Sequence, residues 1–255
     1  MNFVKFLGTA GARFVVIKQL RASGGIWFSL KGTQFLVDPG PGCLVRALKS
    51  RPALQPEKLN GLFLSHKHLD HSGDINIMVE AMTNGGFMPQ GVLLAPEDAL
   101  EGDPVVFRYL RSFLQRIEVL KENREYRLGE LRLRVPIRHQ HGVETFGFVL
   151  QSDGLPGIGY VPDTRFFPEL PQAYSGSKIL IVNTVLVQPR PDLYHLSLPE
   201  AEEVIKQLRP EKAILTHFGM TMLKAKIWEK TEEISQRTGV QVLAASDGLT
   251  FSLDN

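Results

Sequence analysis

The feature that most constrains the fold of this chain is the sequence His66-Lys67-His68-Leu69-Asp70-His71, which places four imidazole or carboxylate groups within six residues. Such crowding is costly unless something binds these groups, and neutral imidazole with carboxylate is a common ligand set for a divalent metal. A polar surface loop rich in histidine is the alternative. The apolar stretch 61–65 directly before the run favours the metal, because it fits a buried strand that ends at a ligand loop.

The spacing within the run suits two ions. If the two-residue period of a strand continues past Ser65, His66 and His68 project to the same side, where one metal can bind both. Asp70 and His71 are adjacent, so they suit a turn that directs neighbouring side chains towards a second ion.

Short apolar strands alternate with amphipathic helices along the chain, and Ser72 is the predicted N-cap of the first long helix. Early strands follow one another like hairpins and later ones are separated by helices. This order predicts an α/β protein with a mixed sheet system and helices outside it. The predicted strands are 3–7, 26–30, 34–37, 62–64, 92–95, 131–135, 146–150, 157–161, 179–182, 213–216 and 240–244, and the predicted helices are 44–49, 75–82, 105–115, 198–208 and 223–236.

Composition limits the classes of protein that the chain can belong to. We expect residues 1–255 to form one domain of two βα halves. The single cysteine, Cys43, excludes an internal disulfide and a cysteine-based zinc cluster, so any metal ligands must be His and Asp. A net charge of +2 without a basic block interleaved with aromatics does not indicate a dedicated nucleic-acid binder. No apolar stretch is long enough for a bilayer span or a signal peptide, so we expect no membrane association and a cytoplasmic protein.

The chain has seven histidines, and the four outside the opening run follow candidate strand ends, where open α/β sheets place their ligand sites. His139 and His141 come after the strand 131–135, and His217 follows 213–216. Asp163 likewise follows the strand 157–161. Distant parts of the chain therefore offer metal-binding side chains at corresponding places.

Taken together, these motifs resemble the metallo-β-lactamase-fold superfamily of hydrolases, in the family's order and across almost the whole chain. The resemblance implies a four-layer αββα sandwich of two mixed β-sheets with helices on both outer faces. It also implies two divalent metal ions, with zinc as the first choice and manganese(II) or iron(II) as alternatives. The matched positions are Asp38-Pro39-Gly40, the run from His66 to His71, His141, Asp163 and His217.

In the ligand set that the resemblance implies, Asp163 bridges the two ions. His66, His68 and His141 hold the first ion, and Asp70, His71 and His217 hold the second.

Two of these positions keep alternatives. Asp38 is either a residue that steadies a metal-bound imidazole through its other N–H or a plain turn aspartate. The family pattern favours His141 over His139 as ligand, because the sequence after His141 returns into a strand. His139 then lies beside the ligands or in solvent.

The sequence around His195 indicates which branch of the superfamily the chain resembles. The sequence His195-Leu196-Ser197 resembles the His-x-Ser/Thr element of the phosphodiesterase and tRNA 3′-processing members. This resemblance implies that His195 contacts a phosphate or protonates a leaving alkoxide, and it makes His195, with Asp70, the predicted catalytic residues. The alternative is an exposed histidine before a helix that Ser197 and Glu200 cap as a capping box.

The implied activity is that of a dinuclear-metal hydrolase with a metal-bridging hydroxide, whose positive cluster suits an anionic substrate. We expect a phosphodiesterase for a small phosphodiester or cyclic phosphate, with Lys67 and Arg165 as candidate anion contacts. Folded RNA is disfavoured because the flexible arm of the tRNA-processing branch has no room between His141 and Asp163. The alternatives are a thioester or lactone hydrolase and an RNA-processing nuclease. The sequence leaves open whether the protein forms a homo-oligomer.

Two further classes are disfavoured. A diiron reductase of this fold has a glutamate in the ligand run and a flavin partner, and this chain has His68 and no attached flavodoxin-like domain. A non-catalytic scaffold is expected to have lost ligands, whereas none is missing from this sequence.

Overall fold

The computed structural model describes residues 1–254, within which the chain forms fourteen β-strands and eight α-helices. The strands are β1 (Phe3–Phe6), β2 (Ile26–Leu30), β3 (Thr33–Val37), β4 (Gly61–Phe63), β5 (Val92–Ala95), β6 (Arg116–Val119), β7 (Arg124–Leu128), β8 (Leu131–Val135), β9 (Phe148–Gln151), β10 (Ile158–Val161), β11 (Ile179–Asn183), β12 (Lys212–Thr216), β13 (Gln241–Ala244) and β14 (Thr250–Ser252).

The α-helices vary from four to twelve residues in length. They are α1 (Ala12–Ile17), α2 (Cys43–Leu48), α3 (Leu69–Ser72), α4 (Ile75–Met82), α5 (Leu170–Ala173), α6 (Leu198–Leu208), α7 (Met220–Lys224) and α8 (Ile227–Thr238). Shorter 3₁₀-helical turns lie at Pro56–Lys58, Glu97–Ala99 and Arg108–Phe113.

The strands form two seven-stranded mixed sheets, with the orders β14-β1-β2-β3-β4-β5-β6 and β13-β12-β11-β10-β9-β8-β7. In the first sheet, pairing is antiparallel from β14 to β3 and parallel from β3 to β6. The second sheet repeats this plan, with antiparallel pairing from β7 to β10 and parallel pairing from β10 to β13. The parallel strands β4, β5, β10 and β12 are buried almost throughout, which explains their continuous apolar sequences.

Aromatic residues fill the core between the two sheets. The Phe28 and Phe35 rings stack with centroids 4.6 Å apart, and Phe148 from the second sheet meets Phe63 edge-on at 5.0 Å. Separate apolar clusters bury α4 against the first sheet and α6 against the second. The layers therefore follow the order helix, sheet, sheet, helix, which confirms the predicted αββα sandwich.

Two predicted helices differ from the structure. Within 105–115 the chain forms only the 3₁₀ turn Arg108–Phe113, with i to i+3 hydrogen bonds, because the following residues are drawn into β6 beside β5. The predicted helix 223–236 is two helices, α7 and α8, because Lys226 adopts a left-handed conformation with φ 46° between them.

Ser72 is not the N-cap of α4, which was the prediction. It is the last residue of α3, and its hydroxyl donates to the Lys67 carbonyl at 3.0 Å. Asp74 occupies the position before α4, and its carboxylate accepts hydrogen bonds from the backbone N–H groups of Gly42 and Leu44. Strands β6, β7 and β14 and helices α1, α3 and α5 were absent from the prediction. Within residues 1–254, no helix is both long and apolar enough to span a membrane.

Candidate metal centre

Loops at the carboxyl ends of parallel strands from both sheets bring the predicted site residues together. Register aligns these ends, since Val37 pairs with Phe63 in the first sheet and Val182 pairs with Val161 and Leu215 in the second. Polar side chains that follow these strands therefore meet at one edge of the sandwich. The contributing segments are the run from His66 to His71 after β4, Asp163 after β10, His195 between β11 and α6, and His217 after β12, together with His141 between β8 and β9.

The first group of candidate ligands consists of His66, His68 and His141, whose ligand atoms all lie within 4.8 Å of one another. His141 Nε2 is 3.1 Å from His68 Nδ1, while His141 Nδ1 faces the Tyr194 carbonyl oxygen at 2.9 Å. A carbonyl only accepts hydrogen bonds, so His141 donates from Nδ1 and leaves its Nε2 lone pair for the site. His66 Nε2 is buried and has no hydrogen-bond partner within residues 1–254.

The second group consists of Asp70, His71 and His217, again within 4.8 Å of one another. His71 Nε2 and His217 Nε2 are 3.2 Å apart, and Asp70 Oδ2 is 3.5 Å from His217 Nε2. Asp163 lies between the two groups: its Oδ1 is 3.4 Å from His217 Nε2 and its Oδ2 is 3.5 Å from His71 Nε2. It also forms a compact group with His66 and His71.

The two groups have opposite electrostatic character. Burial lowers the pKa values of His66, His68 and His141, so these imidazoles are neutral and keep the lone pairs that a metal requires. Burial by itself also lowers the pKa of His217, but Asp163 and Asp70 together outweigh it and raise that pKa to about 9.

His71 behaves like His217, because Asp70, Asp38 and Asp163 together outweigh burial and raise its pKa. Conversely, burial alone raises the pKa of Asp70, yet His71 and His217 hold it below its ordinary value. Only one proton fits between two nitrogens 3.2 Å apart. The carboxylates that stabilise this proton would stabilise a divalent cation in its place.

Asp38 is not a plain turn residue. Its carboxylate accepts hydrogen bonds from the Ser65 hydroxyl at 2.7 Å, from Tyr160 at 2.6 Å and from His71 Nδ1 at 3.0 Å. The geometry favours the alternative in which Asp38 steadies an imidazole of the ligand run. The Asp-x-Gly pattern follows from packing, since a Cβ on Gly40 would lie 2.1 Å from the Asp70 carbonyl oxygen.

The structure separates His139 from His141. His139 lies outside the three groups of candidate ligands, and its Nε2 is 2.8 Å from the Tyr174 hydroxyl. Only 3% of His139 is exposed, so a place in solvent is wrong for this residue. Burial lowers the pKa of His139 to about 3, which keeps the ring neutral.

His195 lies at the edge of the site. Its Nδ1 is 3.3 Å from Asp163 Oδ2, without hydrogen-bond alignment, and its ring centroid is 5.2 Å from that of His141. Ser197 and Glu200 form the predicted capping box at the start of α6. Of the candidate anion contacts, Lys67 forms an ion pair with Asp98 at 3.8 Å, and Arg165 stacks over the Tyr194 ring at 4.4 Å.

Three residues at the site went unnoticed in the sequence: Ser65, Tyr160 and Asn183. Asn183 donates to Asp163 Oδ1 at 2.9 Å, and its amide lies 3.5 Å from the Tyr160 hydroxyl. Asn183 ends β11, and this amide at the end of an otherwise apolar strand was a detectable signal. Tyr160 had no such signal, since a tyrosine in a buried strand is ordinary.

Comparison with known families agrees with this geometry. A sequence model described as the Beta-lactamase superfamily domain matches residues 33–218, which include every candidate ligand. The chain belongs to the metallo-β-lactamase superfamily. A relative at 35% identity is the uncharacterized protein MJ1374 of Methanocaldococcus jannaschii, and the match covers 98% of this chain and 94% of the relative.

Solved structures of this superfamily share the fold. A diphosphatase of the PhnP family superimposes with a TM-score of 0.72 at 19% identity, covering 98% of this chain and 96% of that one. The short form of human tRNase Z superimposes with a TM-score of 0.74 at 18% identity, covering 99% and 100%. At these identities the likeness establishes the fold alone.

The residues present fit the divalent ions that the fold implies. His66 Nε2 is an orphaned buried nitrogen within the first group, and the second group combines two imidazoles with carboxylates. Nitrogen and oxygen donors of this kind suit zinc, manganese or iron. We therefore assign the chain as a metallohydrolase of the metallo-β-lactamase superfamily.

Proposed function

We propose that this metallohydrolase is a phosphodiesterase for a small phosphodiester or a cyclic phosphate. In this proposal His66, His68 and His141 hold one ion, Asp70, His71 and His217 hold the other, and Asp163 is shared. The observation that carries the proposal is the position of His195. It lies 3.3 Å from Asp163, yet it belongs neither to the first or second group of candidate ligands nor to the group that Asp163 forms with His66 and His71. A hydrolase that needs no acid for its leaving group has no use for this imidazole.

Residues of the chain itself have distinct roles in this proposal. Bound zinc or a similar divalent cation would supply Lewis acidity and lower the pKa of coordinated water. Nδ1 of His195 faces Asp163, so Nε2 is the nitrogen left for the substrate. His195 Nε2–H can donate a hydrogen bond to a phosphate oxygen, and the imidazolium form of His195 can pass this proton to the leaving alkoxide and become the neutral ring. Asn183 restrains Asp163 through a hydrogen bond to Oδ1.

Arg165 supports an anionic substrate. Its guanidinium covers the Tyr194 ring, and Tyr194 precedes His195 and accepts a hydrogen bond from His141. The Nε atom of Arg165 is buried without a hydrogen-bond partner within residues 1–254. An unsatisfied guanidinium N–H beside the site is suited to a phosphate oxygen, whereas Lys67 is engaged by Asp98.

The connection between His141 and Asp163 is short. It consists of the hairpin β9–β10, which leaves no arm to grip a folded RNA. This short connection favours a small anionic substrate. A cytoplasmic location and zinc as the first choice of metal are further parts of the proposal.

The deciding experiment compares the zinc-loaded enzyme and His195→Ala on bis(p-nitrophenyl) phosphate, a thioester and a lactone. We expect the diester to be hydrolysed and the variant to lose about 10²-fold or more in kcat while keeping its zinc content. A structured precursor RNA in a parallel assay should be a poor substrate. Turnover of the thioester or lactone with an inert diester, or of the RNA in preference to the diester, would overturn the assignment.

A further inference from the structure

The Asp38 carboxylate is the centre of a buried hydrogen-bond network below the candidate metal centre. Four groups donate to it: the Ser65 backbone N–H at 2.6 Å, the Ser65 hydroxyl at 2.7 Å, the Tyr160 hydroxyl at 2.6 Å and His71 Nδ1 at 3.0 Å. Only 5% of Asp38 is exposed. A carboxylate surrounded by four donors acts only as an acceptor, so the positions of the neighbouring protons can be deduced.

Ser65 transmits this constraint to His66. The Ser65 hydroxyl has one proton, and that proton points to Asp38 Oδ2, since two acceptors 2.7 Å apart would repel each other. Ser65 Oγ can therefore only accept from His66 Nδ1, which lies 3.0 Å away. His66 consequently carries its proton on Nδ1, and its lone pair is on Nε2, the buried atom without a partner.

His71 receives the same constraint directly. Its Nδ1 faces Asp38 Oδ2 at 3.0 Å and must donate to it. Neutral His71 therefore also has its lone pair on Nε2, which points towards His217 Nε2. His66 and His71 stand in different ligand groups, yet the same carboxylate orients both.

We propose that the Ser65 hydroxyl relays the Asp38 carboxylate to His66 and thereby sets the tautomer of this imidazole, while the same carboxylate acts directly on His71 in the other metal site. Ser65 is a positioning residue in this arrangement. The inference rests on the proposed function for the assignment of His66 and His71 to separate ions, while the tautomers themselves follow from the hydrogen bonds.

Tyr160 extends the network to the shared carboxylate. Its hydroxyl proton is committed to Asp38, so its oxygen is free to accept from the Asn183 amide at 3.5 Å. The same amide donates to Asp163 Oδ1 at 2.9 Å. Tyr160 and Asn183 belong to the second sheet and Asp38 follows β3 of the first, so the network joins both halves of the molecule.

The first test observes the tautomers without any assay of activity. Long-range ¹⁵N–¹H correlation spectra of the imidazoles should show His66 with its proton on Nδ1, both in metal-stripped and in zinc-loaded protein. Ser65→Ala should abolish this preference in the metal-stripped protein. A proton on His66 Nε2 in the unmodified metal-stripped protein would overturn the inference, whether or not any variant folds.

The second test measures zinc affinity by chelator competition. Ser65→Ala should weaken the site that contains His66 by about 10- to 100-fold and leave the other site within a few-fold, because the His71 hydrogen bond to Asp38 remains. Ser65→Thr, which keeps the hydroxyl, should retain most of the affinity. Equal affinities in Ser65→Ala and the unmodified protein would reject the Ser65 relay alone. Failure of the unmodified protein to bind two divalent ions would instead reject the proposed function.

Discussion

His71 Nε2 and His217 Nε2 lie 3.2 Å apart, although 146 residues separate the two histidines along the chain. His71 belongs to α3 after a strand of the first sheet, and His217 follows β12 of the second. Each half of the chain contributes one histidine of this pair. The second group of candidate ligands therefore exists only when both halves are packed together. Metal binding at this group should accordingly stabilise the packing of the two sheets.

Replacement of His217 tests the second metal position. His217→Ala should lower the zinc content of purified protein from two ions towards one, because Asp70, His71 and the shared Asp163 alone bind the second ion weakly. Loss of a residue that only supports a ligand costs about 10- to 100-fold, so loss of the ligand should reduce turnover at least that much. Elemental analysis and kinetics on the same samples provide the measurement.

His139→Ala is the matched control for this experiment. It also removes a buried imidazole near the site, but it leaves the Tyr174 hydroxyl without its partner instead of an ion without its ligand. We expect a loss of about 1–3 kcal/mol in unfolding free energy with both ions retained. If His139→Ala lost one ion and His217→Ala kept two, the assignment of ligands would be wrong.

Arg165 offers a test of substrate charge. Arg165→Met should raise the KM for a phosphodiester anion by about 10- to 100-fold while kcat changes little, since one charge-assisted hydrogen bond contributes about 1.5–3 kcal/mol. The KM of Arg165→Lys should lie between those of the unmodified protein and Arg165→Met, because a lysine keeps the charge but loses the planar stacking on Tyr194. Steady-state kinetics on bis(p-nitrophenyl) phosphate separate KM from kcat.

Lys67→Met is the comparison for Arg165. Lys67 is inside the ligand run, but its ammonium group lies 3.8 Å from Asp98, so its removal should leave KM almost unchanged. A larger KM effect for Lys67→Met than for Arg165→Met would transfer the anion contact to Lys67.

The sequence predicted most of the site and the layers of the fold, for identifiable reasons. Buried parallel strands such as β11 are continuous apolar runs, and the polar residues that follow them stand out. Edge strands do not have this signal: β7 alternates exposed and buried positions, and β6 exists only because it pairs with β5. The segment Arg108–Phe113 forms a 3₁₀ turn, which local apolar periodicity does not distinguish from an α-helix.

Within the site, residue types were sufficient to predict which candidate ligands the fold brings together, but two of the groups that support them through Asp38 were not visible. The Ser65 hydroxyl and the Tyr160 hydroxyl act through Asp38, which is distant from Tyr160 in the sequence. Ser and Tyr are ordinary residues at the ends and interiors of strands. Only the packing of one sheet on the other brings these hydroxyls to the same carboxylate.

Glu202 provides a prediction about stability away from the site. Two hydrogen bonds from Arg237, at 2.9 and 2.8 Å, join α6 to α8, and Lys206 lies 2.8 Å from the same carboxylate. The Arg237 hydrogen bonds lower the pKa of Glu202 from 4.5 to about 2. This stabilisation is therefore complete above pH 4.5 and is lost as the pH falls towards about 2.

Glu202→Gln should accordingly cost about 1 kcal/mol of unfolding free energy at pH 7, and this difference should vanish near pH 2. The small cost reflects Arg237, whose side chain is half exposed and remains solvated without its partner. Denaturant titrations at several pH values measure it. Glu229→Gln, which breaks the exposed pair between Glu229 of α8 and Lys226 just before this helix, should change stability by less than about 0.5 kcal/mol at every pH.

Gly11 and Gly142 test whether the position of His217, rather than its chemistry alone, determines the second metal site. A Cβ on Gly11 would lie 2.0 Å from the His217 carbonyl oxygen and 2.9 Å from its ring, so Gly11→Ala must push the segment after β12 away. Backbone hydrogen bonds from Gly11 N to Phe218 O and from Phe218 N to Thr9 O hold the two segments together. The displacement therefore cannot be absorbed by a flexible side chain.

Gly11→Ala should weaken the binding of the second zinc ion by about tenfold or more and lower turnover with it, although no ligand atom is removed. Gly142→Ala is the matched control, because Gly142 directly follows the candidate ligand His141 and a Cβ there meets nothing within 4 Å. Chelator competition on both variants, beside thermal unfolding, should show a loss for Gly11→Ala alone. Equal zinc affinities in the two variants would mean that the segment after β12 can shift without affecting the site, and the close contact between Gly11 and His217 would then have no part in metal binding.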